Sequence, residues 1–156
     1  SSTRVNDKIY AMISPQMIKA EHPLYSVNDV FNGISVRGNM LGDVMFYGKG
    51  AGKLPTASAV VSDVVDAVKH MGVNIMITWK PEKLELSPMA EMENRFFVRV
   101  KAEEKDKVLS TFSHVQTVDA GIADEFAFVT DKMKEQEFSD KISGFDTMIT
   151  RIRVGF

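Results

Sequence analysis

Apolar residues between positions 55 and 71 recur every third or fourth position, with polar residues on the opposite side. This spacing is typical of a helix with one apolar face. Pro55 suits the first helical position and Gly72 suits the position just beyond the end, so the sequence predicts a helix over 55–71. We expect its face to pack flat against a sheet, because that face is mostly valine: Val60, Val61, Val64, Val65, Val68 and Met71.

Three short strands are predicted before this helix. Residues 8–13 alternate between apolar and polar, as a half-buried strand does, and Pro15 ends the alternation. Residues 30–37 and 43–47 read as two more strands, with turn residues between them. So few strands cannot close a domain by themselves. We therefore expect residues 1–79 to be the last part of a larger, truncated α/β domain.

A second region follows a charged stretch with two prolines at 80–94, which reads as a linker. Within 95–156, strand-like alternation and helical spacing succeed one another in the order βαββαβ. That order predicts a ferredoxin-like fold, with a four-stranded antiparallel sheet and two helices on one face. The fold class of the chain is therefore predicted as α+β, an α/β remnant followed by a ferredoxin-like domain.

The composition narrows the function classes. Lysine plus arginine count 19 against 21 acids, so no basic face is implied and nucleic acid is not an expected partner. The chain has no cysteine, which excludes disulfides and thiol nucleophiles and fits a reducing, cytoplasmic location. Three isolated histidines, His22, His70 and His114, make a zinc site an unfavoured reading, so no metal is expected. No apolar run approaches the length of a membrane span.

A glycine-rich loop joins the third predicted strand to the helix. Its residues Gly48, Gly50, Ala51 and Gly52 read G-x-G-A-G, which is neither G-x-G-x-x-G nor a phosphate-binding P-loop. On spacing alone, this is a tight strand-to-helix turn. Glycine also lets a ligand approach the backbone, and a helix start favours an anion. Thr56 and Ser58, at the helix start, are better read as caps than as ligand contacts.

The sequence around this loop resembles that of homoserine dehydrogenases. The agreement runs from about residue 9 to about residue 69 and includes His22-Pro23-Leu24-x-x-Val27-Asn28-x-x-Phe31-Asn32 and Asp43-Val44-Met45-Phe46-Tyr47-Gly48-x-Gly50-Ala51-Gly52-x-Leu54-Pro55-Thr56-Ala57-Ser58-Ala59-Val60-Val61. The resemblance implies NAD(P)-dependent interconversion of L-homoserine and L-aspartate 4-semialdehyde, a step towards threonine, methionine and isoleucine.

The same resemblance implies roles for particular residues. The loop would close over the nicotinamide end of NAD(P), which makes Gly48, Gly50, Ala51 and Gly52 cofactor-binding. The family's catalytic lysine and dinucleotide fingerprint would precede this chain, so no catalytic residue is assigned and the chain is expected to be inactive alone, with no tightly bound cofactor. A β-branched residue at Gly50 is expected to harm cofactor use, because it would block close approach and resist a positive φ.

The region 95–156 resembles an ACT domain, a small amino-acid-sensing module, through its strand Phe96-Phe97-Val98-Arg99-Val100. The resemblance places an effector such as threonine near Glu103, Glu104, Lys105 and Asp106. The family's Pro-Gly-Val at the first helix is replaced here by residues 105–109. A ferredoxin-like domain without a ligand therefore remains an alternative, and so does a non-catalytic sensing or oligomerisation module.

Self-association is the expected partnership. The helices would cover one face of the ferredoxin-like sheet, which leaves the other face in need of a partner or a polar coat. Alternation along the last strand puts Arg151 and Arg153 on that second face together with Phe97. An aromatic residue among arginines is typical of an interface, so we expect a homodimer.

Overall fold

The structure is a computed structural model that describes residues 1–76 and 78–155. Ile77 and Phe156, which fall within the two predicted regions, lie outside the described residues. The strands are β1 (Ser2–Val5), β2 (Lys8–Ala11), β3 (Gln16–Met17), β4 (Phe31–Gly38), β5 (Gly42–Lys49), β6 (Glu93–Lys101), β7 (Val115–Val118), β8 (Glu125–Thr130), β9 (Met133–Lys134) and β10 (Thr150–Val154). The α-helices are α1 (Lys53–Lys69), α2 (Lys105–Thr111) and α3 (Glu135–Ile142), and short 3-10 turns lie at Pro23–Ser26, Met89–Glu91 and Ala102–Glu104.

The chain forms two compact units. One contains Ser1–Lys19 together with the chain from Lys83 onward, and the other is Ala20–Glu82. We call them the discontinuous unit and the hairpin unit. The assignment of residues to a catalytic remnant, a linker and an ACT domain stays a prediction, since compactness does not assign a function.

The discontinuous unit is built on one sheet with the strand order β3-β10-β6-β8-β7. Strands β6, β7, β8 and β10 pair antiparallel, and together with α2 and α3 they give the predicted βαββαβ order. Alternate residues of β6, namely Phe96, Val98 and Val100, are buried in the core. From the helices, Phe112 and Phe138 pack into the same core, and the rings of Phe96 and Phe138 stack with centroids 3.8 Å apart.

The sheet has an additional short strand that the hydrophobic pattern did not predict. Strand β3 runs parallel to β10, with Gln16 beside Arg153 and Met17 beside Val154. The amide of Gly155 continues this pairing by donating to the Met17 carbonyl at 2.7 Å. Two residues are too few to show alternation, so the sequence carried no signal for β3. The free edge of β10 supplies the pairing groups that hold it.

The prediction that Arg151 and Arg153 share the uncovered face of the sheet with Phe97 is wrong. These residues pair with Val98 and Phe96, which puts them on the helix-covered face and opposite to Phe97. Arg153 makes a bidentate ion pair with Glu135 at the start of α3, with N–O distances of 2.6 and 2.8 Å. Arg151 lies over the Phe138 ring, 5.9 Å from its centroid. Helix α3 thus offers a carboxylate to Arg153 and an aromatic ring to Arg151, which explains why both arginines lie on the helix-covered face.

The hairpin unit contains β4 and β5, paired antiparallel from Phe31–Lys49 to Gly38–Gly42, and the helix α1. Helix α1 begins two residues earlier than predicted, and none of its residues is buried. The expectation that its valine face packs on a sheet is therefore not met within the part of the chain that the structure describes.

Candidate functional site

The glycine loop lies where the sequence predicts, between β5 and α1. Gly48 belongs to the last part of β5, while Gly50, Ala51 and Gly52 form the connection to the helix. Gly52 is the N-cap residue and has φ 121° and ψ 149°, a combination that only glycine adopts without strain. The sharp change from strand to helix therefore depends on Gly52.

The helix start is organised differently from the predicted capping. No side chain caps α1. Instead, the Thr56 hydroxyl donates to the Gly52 carbonyl at 2.9 Å, and the Thr56 amide donates to the same oxygen at 3.1 Å. The first-turn N–H groups thus have no side-chain cap, because Gly52 offers none. Ser58 lies on the wall of the adjacent cavity rather than at the cap.

An open cavity of 690 Å³ lies against the loop and the first turn of α1. Of the four residues predicted to bind a cofactor, Ala51 lines this cavity. Two lysines, Lys49 and Lys53, also line it and give it positive charge, which the sequence reading did not single out. The available signal was their position in the sequence, Lys49 between Gly48 and Gly50 and Lys53 directly after Gly52. The lining residues are Val30, Lys49, Ala51, Lys53, Leu54, Pro55 and Ser58.

The two central glycines of the loop have different surroundings. A Cβ at Gly48 would have no heavy atom within 4 Å, so that position is open. A Cβ at Gly50 would collide with the side-chain amide of Asn32 and would lie 2.9 Å from Asn32 Cγ. Gly50 is not among the residues with positive φ. The expectation that a side chain at Gly50 meets a positive φ is therefore wrong, and the close neighbour there is Asn32.

The segment around His22 supports the hairpin from one side. His22 Nδ1 accepts a hydrogen bond from the Leu24 amide at 3.1 Å and caps the turn Pro23–Ser26. Leu24 and Val27 lie so close to Gly33 that a Cβ there would be 2.7 and 2.9 Å from their methyl carbons. This local role matches the reading of His22 as a positioned histidine.

Asp43 lies on the same hairpin as Gly33. Its carboxylate pairs with Arg37 at 2.6 Å, and this hydrogen bond holds its pKa below the usual value. The pair therefore secures the turn end of the hairpin, away from the glycine loop.

The four residues predicted to bind an effector differ in their surroundings, and their effector role stays a prediction. Glu104 is buried, accepts a hydrogen bond from the Thr147 hydroxyl and lies 3.6 Å from Lys107 Nζ. The hydrogen bond from Thr147 is the main cause of a lowered Glu104 pKa. Lys105 Nζ lies 5.6 Å from the Phe126 ring centroid, while Glu103 and Asp106 are exposed. The carboxylate of Glu104 thus fastens the start of α2 to the loop before β10.

The described residues were compared with what a metal site and a membrane-spanning helix require. Within 1–76 and 78–155, no group of three or more histidine, aspartate or glutamate side chains could hold a metal ion. No described helix combines the length and apolar character needed to cross a bilayer.

Comparison with known proteins identifies relatives of the hairpin unit and of the chain as a whole. Residues 2–65 match the homoserine dehydrogenase family model. A homoserine dehydrogenase of Synechocystis is 42% identical over 95 residues, covering 61% of this chain and 21% of its own length. The enzyme of that name from Bacillus subtilis is 33% identical over 166 residues, covering 93% of this chain and 37% of its own length. The chain thus spans well under half the length of these relatives.

Solved structures extend the likeness through both units. A homoserine dehydrogenase of Thiobacillus denitrificans has a TM-score of 0.82, with 99% of this chain and 41% of that chain covered, at 20% identity. The S. aureus homoserine dehydrogenase at pH 6.5 has a TM-score of 0.67 at 26% identity, covering 99% of this chain and 39% of that one. The first likeness concerns the fold alone. The sequence matches carry the family resemblance, which is confirmed.

Proposed function

We propose that this chain, a homologue of homoserine dehydrogenases, is the carboxyl-terminal part of an enzyme that interconverts L-homoserine and L-aspartate 4-semialdehyde with NAD(P). The observation that carries the proposal is the family match over residues 2–65, which includes the whole glycine loop and most of α1. The match to the Bacillus subtilis enzyme covers 93% of this chain, which supports placing both units in one enzyme family.

In this proposal, the glycine loop binds the nicotinamide end of the dinucleotide. Gly48 is open to solvent on the side where a Cβ would project, so a flat ring could approach the backbone there. Lys49 and Lys53 supply positive charge beside the loop, which suits an anionic cofactor. The dinucleotide supplies the hydride, and the loop residues orient it and exclude water from one side.

The chain is proposed to be inactive by itself. This part of the proposal rests on coverage, since the chain spans only 21% and 37% of the length of the two relatives compared. The purified chain should show no NADP-linked oxidation of homoserine, whereas a longer protein that contains it should show turnover. Turnover by the 156-residue chain above a no-protein control would contradict this part of the proposal.

The same purified chain tests the loop assignment without catalysis. Titration of the chain with NADP⁺, followed by amide NMR, should shift the resonances of Gly48, Ala51 and Gly52 before those of the discontinuous unit. Shifts confined to the discontinuous unit would place the cofactor elsewhere. A Gly48→Ala variant should weaken binding without changing the melting temperature, because its new methyl group meets no protein atom.

The discontinuous unit is a candidate sensing or oligomerisation module. Its βαββαβ order and its own buried core support an ACT-type assignment. Glu104 is engaged internally, so an amino-acid effector such as threonine would depend on Glu103, Lys105 and Asp106, which are exposed. Calorimetric titration with L-threonine, with Asp106→Ala as the variant, would distinguish a sensing module from a ferredoxin-like domain that binds no ligand.

A homodimer is proposed through the sheet face that the helices leave uncovered. Phe97 lies between Val129 and Ile152 in register on that face, and all three are half-buried. Arg151 and Arg153 lie on the other side, and the arginines that flank Phe97 on this face are Arg95 and Arg99 of the same strand. Sedimentation equilibrium at micromolar concentration should give a dimer mass, and Phe97→Asp should reduce it to a monomer. A monomer mass for the unmodified chain would exclude the dimer.

A further inference from the structure

We propose that Asn32 is the positioning residue of the glycine loop, and that its carboxamide holds the loop in the path that leaves Gly48 open to a ligand. The inference rests on the proposed function, because it assigns a role at the proposed cofactor site. It concerns a residue on β4, which is outside the glycine loop in the sequence.

The strand register places Asn32 beside the loop. Asn32 of β4 pairs with Gly48 of β5, so the two residues belong to the same face of the hairpin. Gly48 has no side chain on that face, and Asn32 does. The next residues on that face, Ile34 and Phe46, are exposed and apolar. Asn32 is therefore the polar group nearest the loop on this face of the hairpin.

The space above Gly50 is the second observation. A Cβ on Gly50 would lie 2.9 Å from Asn32 Cγ and 3.6 Å from Asn32 Cβ, and it would overlap the amide nitrogen. The carboxamide thus occupies the volume that any other residue at position 50 would fill. Since Gly50 has no positive φ, its backbone conformation does not explain why this position lacks a side chain.

Together, the two observations give a reason for the glycines at positions 48 and 50. A missing side chain at Gly50 admits the Asn32 carboxamide, which packs on the loop backbone between β5 and α1. A missing side chain at Gly48 leaves the neighbouring position free. Asn32 therefore acts through the loop rather than on the reacting atoms.

A double-mutant cycle tests this assignment in the 156-residue chain. Asn32→Ala removes the carboxamide, and Gly50→Ala displaces it by occupying its space. Both single variants should shift the Gly48, Ala51 and Gly52 amide resonances in the same way. The double variant should be no worse than either, because both changes remove the same contact. Asn39→Ala, in the exposed turn between β4 and β5, is the matched control and should leave the loop unchanged.

A second readout separates positioning from folding. With the melting temperature unchanged, Asn32→Ala should weaken NADP⁺ binding about three- to tenfold, because the loop then spends less time in the path that admits the ligand. If the loop resonances of Asn32→Ala match those of the unmodified chain, the role of Asn32 is overturned, whether or not NADP⁺ binding changes. Additive effects in the double variant would also overturn it. Loop shifts that behave as expected, without NADP⁺ binding by any variant or by the unmodified chain, would support the positioning role and count against the proposed cofactor site.

Discussion

At the scale of single residues, hydrogen-bond partners explain why several polar side chains are buried. Glu135, buried at the start of α3, accepts hydrogen bonds from Arg153 and Asn94, the latter at 2.7 Å. Thr130 lies in the core, where its hydroxyl accepts a hydrogen bond from the Phe96 amide at 3.0 Å. Such groups are stable inside a protein because each has a partner. Their removal should therefore cost more than the loss of an exposed charge.

The Glu135–Arg153 pair gives the first prediction. Its side chains are 10% and 25% exposed, so Glu135→Ala should leave Arg153 partly desolvated without its counter-charge. We expect the free energy of unfolding to fall by about 3 kcal/mol, measured by urea denaturation. Glu137→Ala on the same helix is the control. Its surface pair with Lys141 should contribute only about 0.5 kcal/mol or less. Equal losses in the two variants would contradict the prediction.

Glu104 gives a prediction about pH. Its pKa is lowered from the usual value of 4.5, chiefly by the hydrogen bond from Thr147. Its contribution to stability is therefore complete above that usual value and is lost as the pH falls through the lowered pKa. Between about pH 5 and pH 3, the urea midpoint of the unmodified chain should fall more steeply than that of Glu104→Gln. Glu103→Gln, at the exposed neighbour, should follow the unmodified chain. Parallel curves for all three would count against this role.

At the scale of secondary-structure elements, Gly52 determines how α1 begins. Because its φ of 121° and ψ of 149° suit glycine alone, Gly52→Ala should cost of the order of 1–3 kcal/mol in the local folded state. We expect faster amide hydrogen exchange throughout α1. Gly48→Ala is the control, since its added methyl group meets open space and its φ is not positive. Unchanged exchange in α1 of the Gly52 variant would show that the turn tolerates a side chain.

The elements also show what a hydrophobic pattern reveals and what it leaves out. The alternation in β6 predicted a strand, and its alternate residues Phe96, Val98 and Val100 lie in the core. The spacing between 55 and 71 predicted a helix, but none of the residues of α1 is buried. Periodicity shows which residues share a face, but the neighbour that covers the face depends on other segments. The face of Arg153 was misassigned for the same reason, since its partner Glu135 lies on another element.

The candidate site was predictable only in part. The glycine loop was found because its residues are contiguous and distinctive. Asn32 could not be identified as its neighbour, because the contact depends on the register that pairs it with Gly48. A register follows from the whole hairpin and not from any one residue. The internal hydrogen bond of Glu104 likewise depends on Thr147, which is distant in sequence.

At the scale of the whole molecule, the two units differ in how much of them is buried. The core side chains with the lowest exposure, such as Phe128 and Phe138, belong to the discontinuous unit. In the hairpin unit, the valines of α1 are about half exposed, Val65 at 45% and Val61 at 61%. Burial of apolar surface is the main source of folding free energy. The units should therefore differ in stability.

Hydrogen exchange measured residue by residue tests this difference. Amides of β6 and β8 should exchange slowest, because their opening requires the core of the discontinuous unit to unfold. Amides of α1 should exchange many times faster, since few buried contacts oppose their opening. The measurement should be made on the unmodified chain at micromolar concentration. Exchange in α1 as slow as in β6 would indicate that the helix is covered in solution.

The pairing of β3 with β10 has a consequence for synthesis of the chain on the ribosome. Gln16 and Met17 are translated before the hairpin unit, but their partners Arg153 and Val154 are translated only after the whole hairpin unit and the rest of the sheet. The sheet can form β6, β7 and β8 in the meantime, whereas β3 must wait with its backbone groups bonded to water. Closing so long a loop is an entropic cost that late-forming contacts have to offset. The nascent chain should therefore pair β3 only after β10 has left the ribosome.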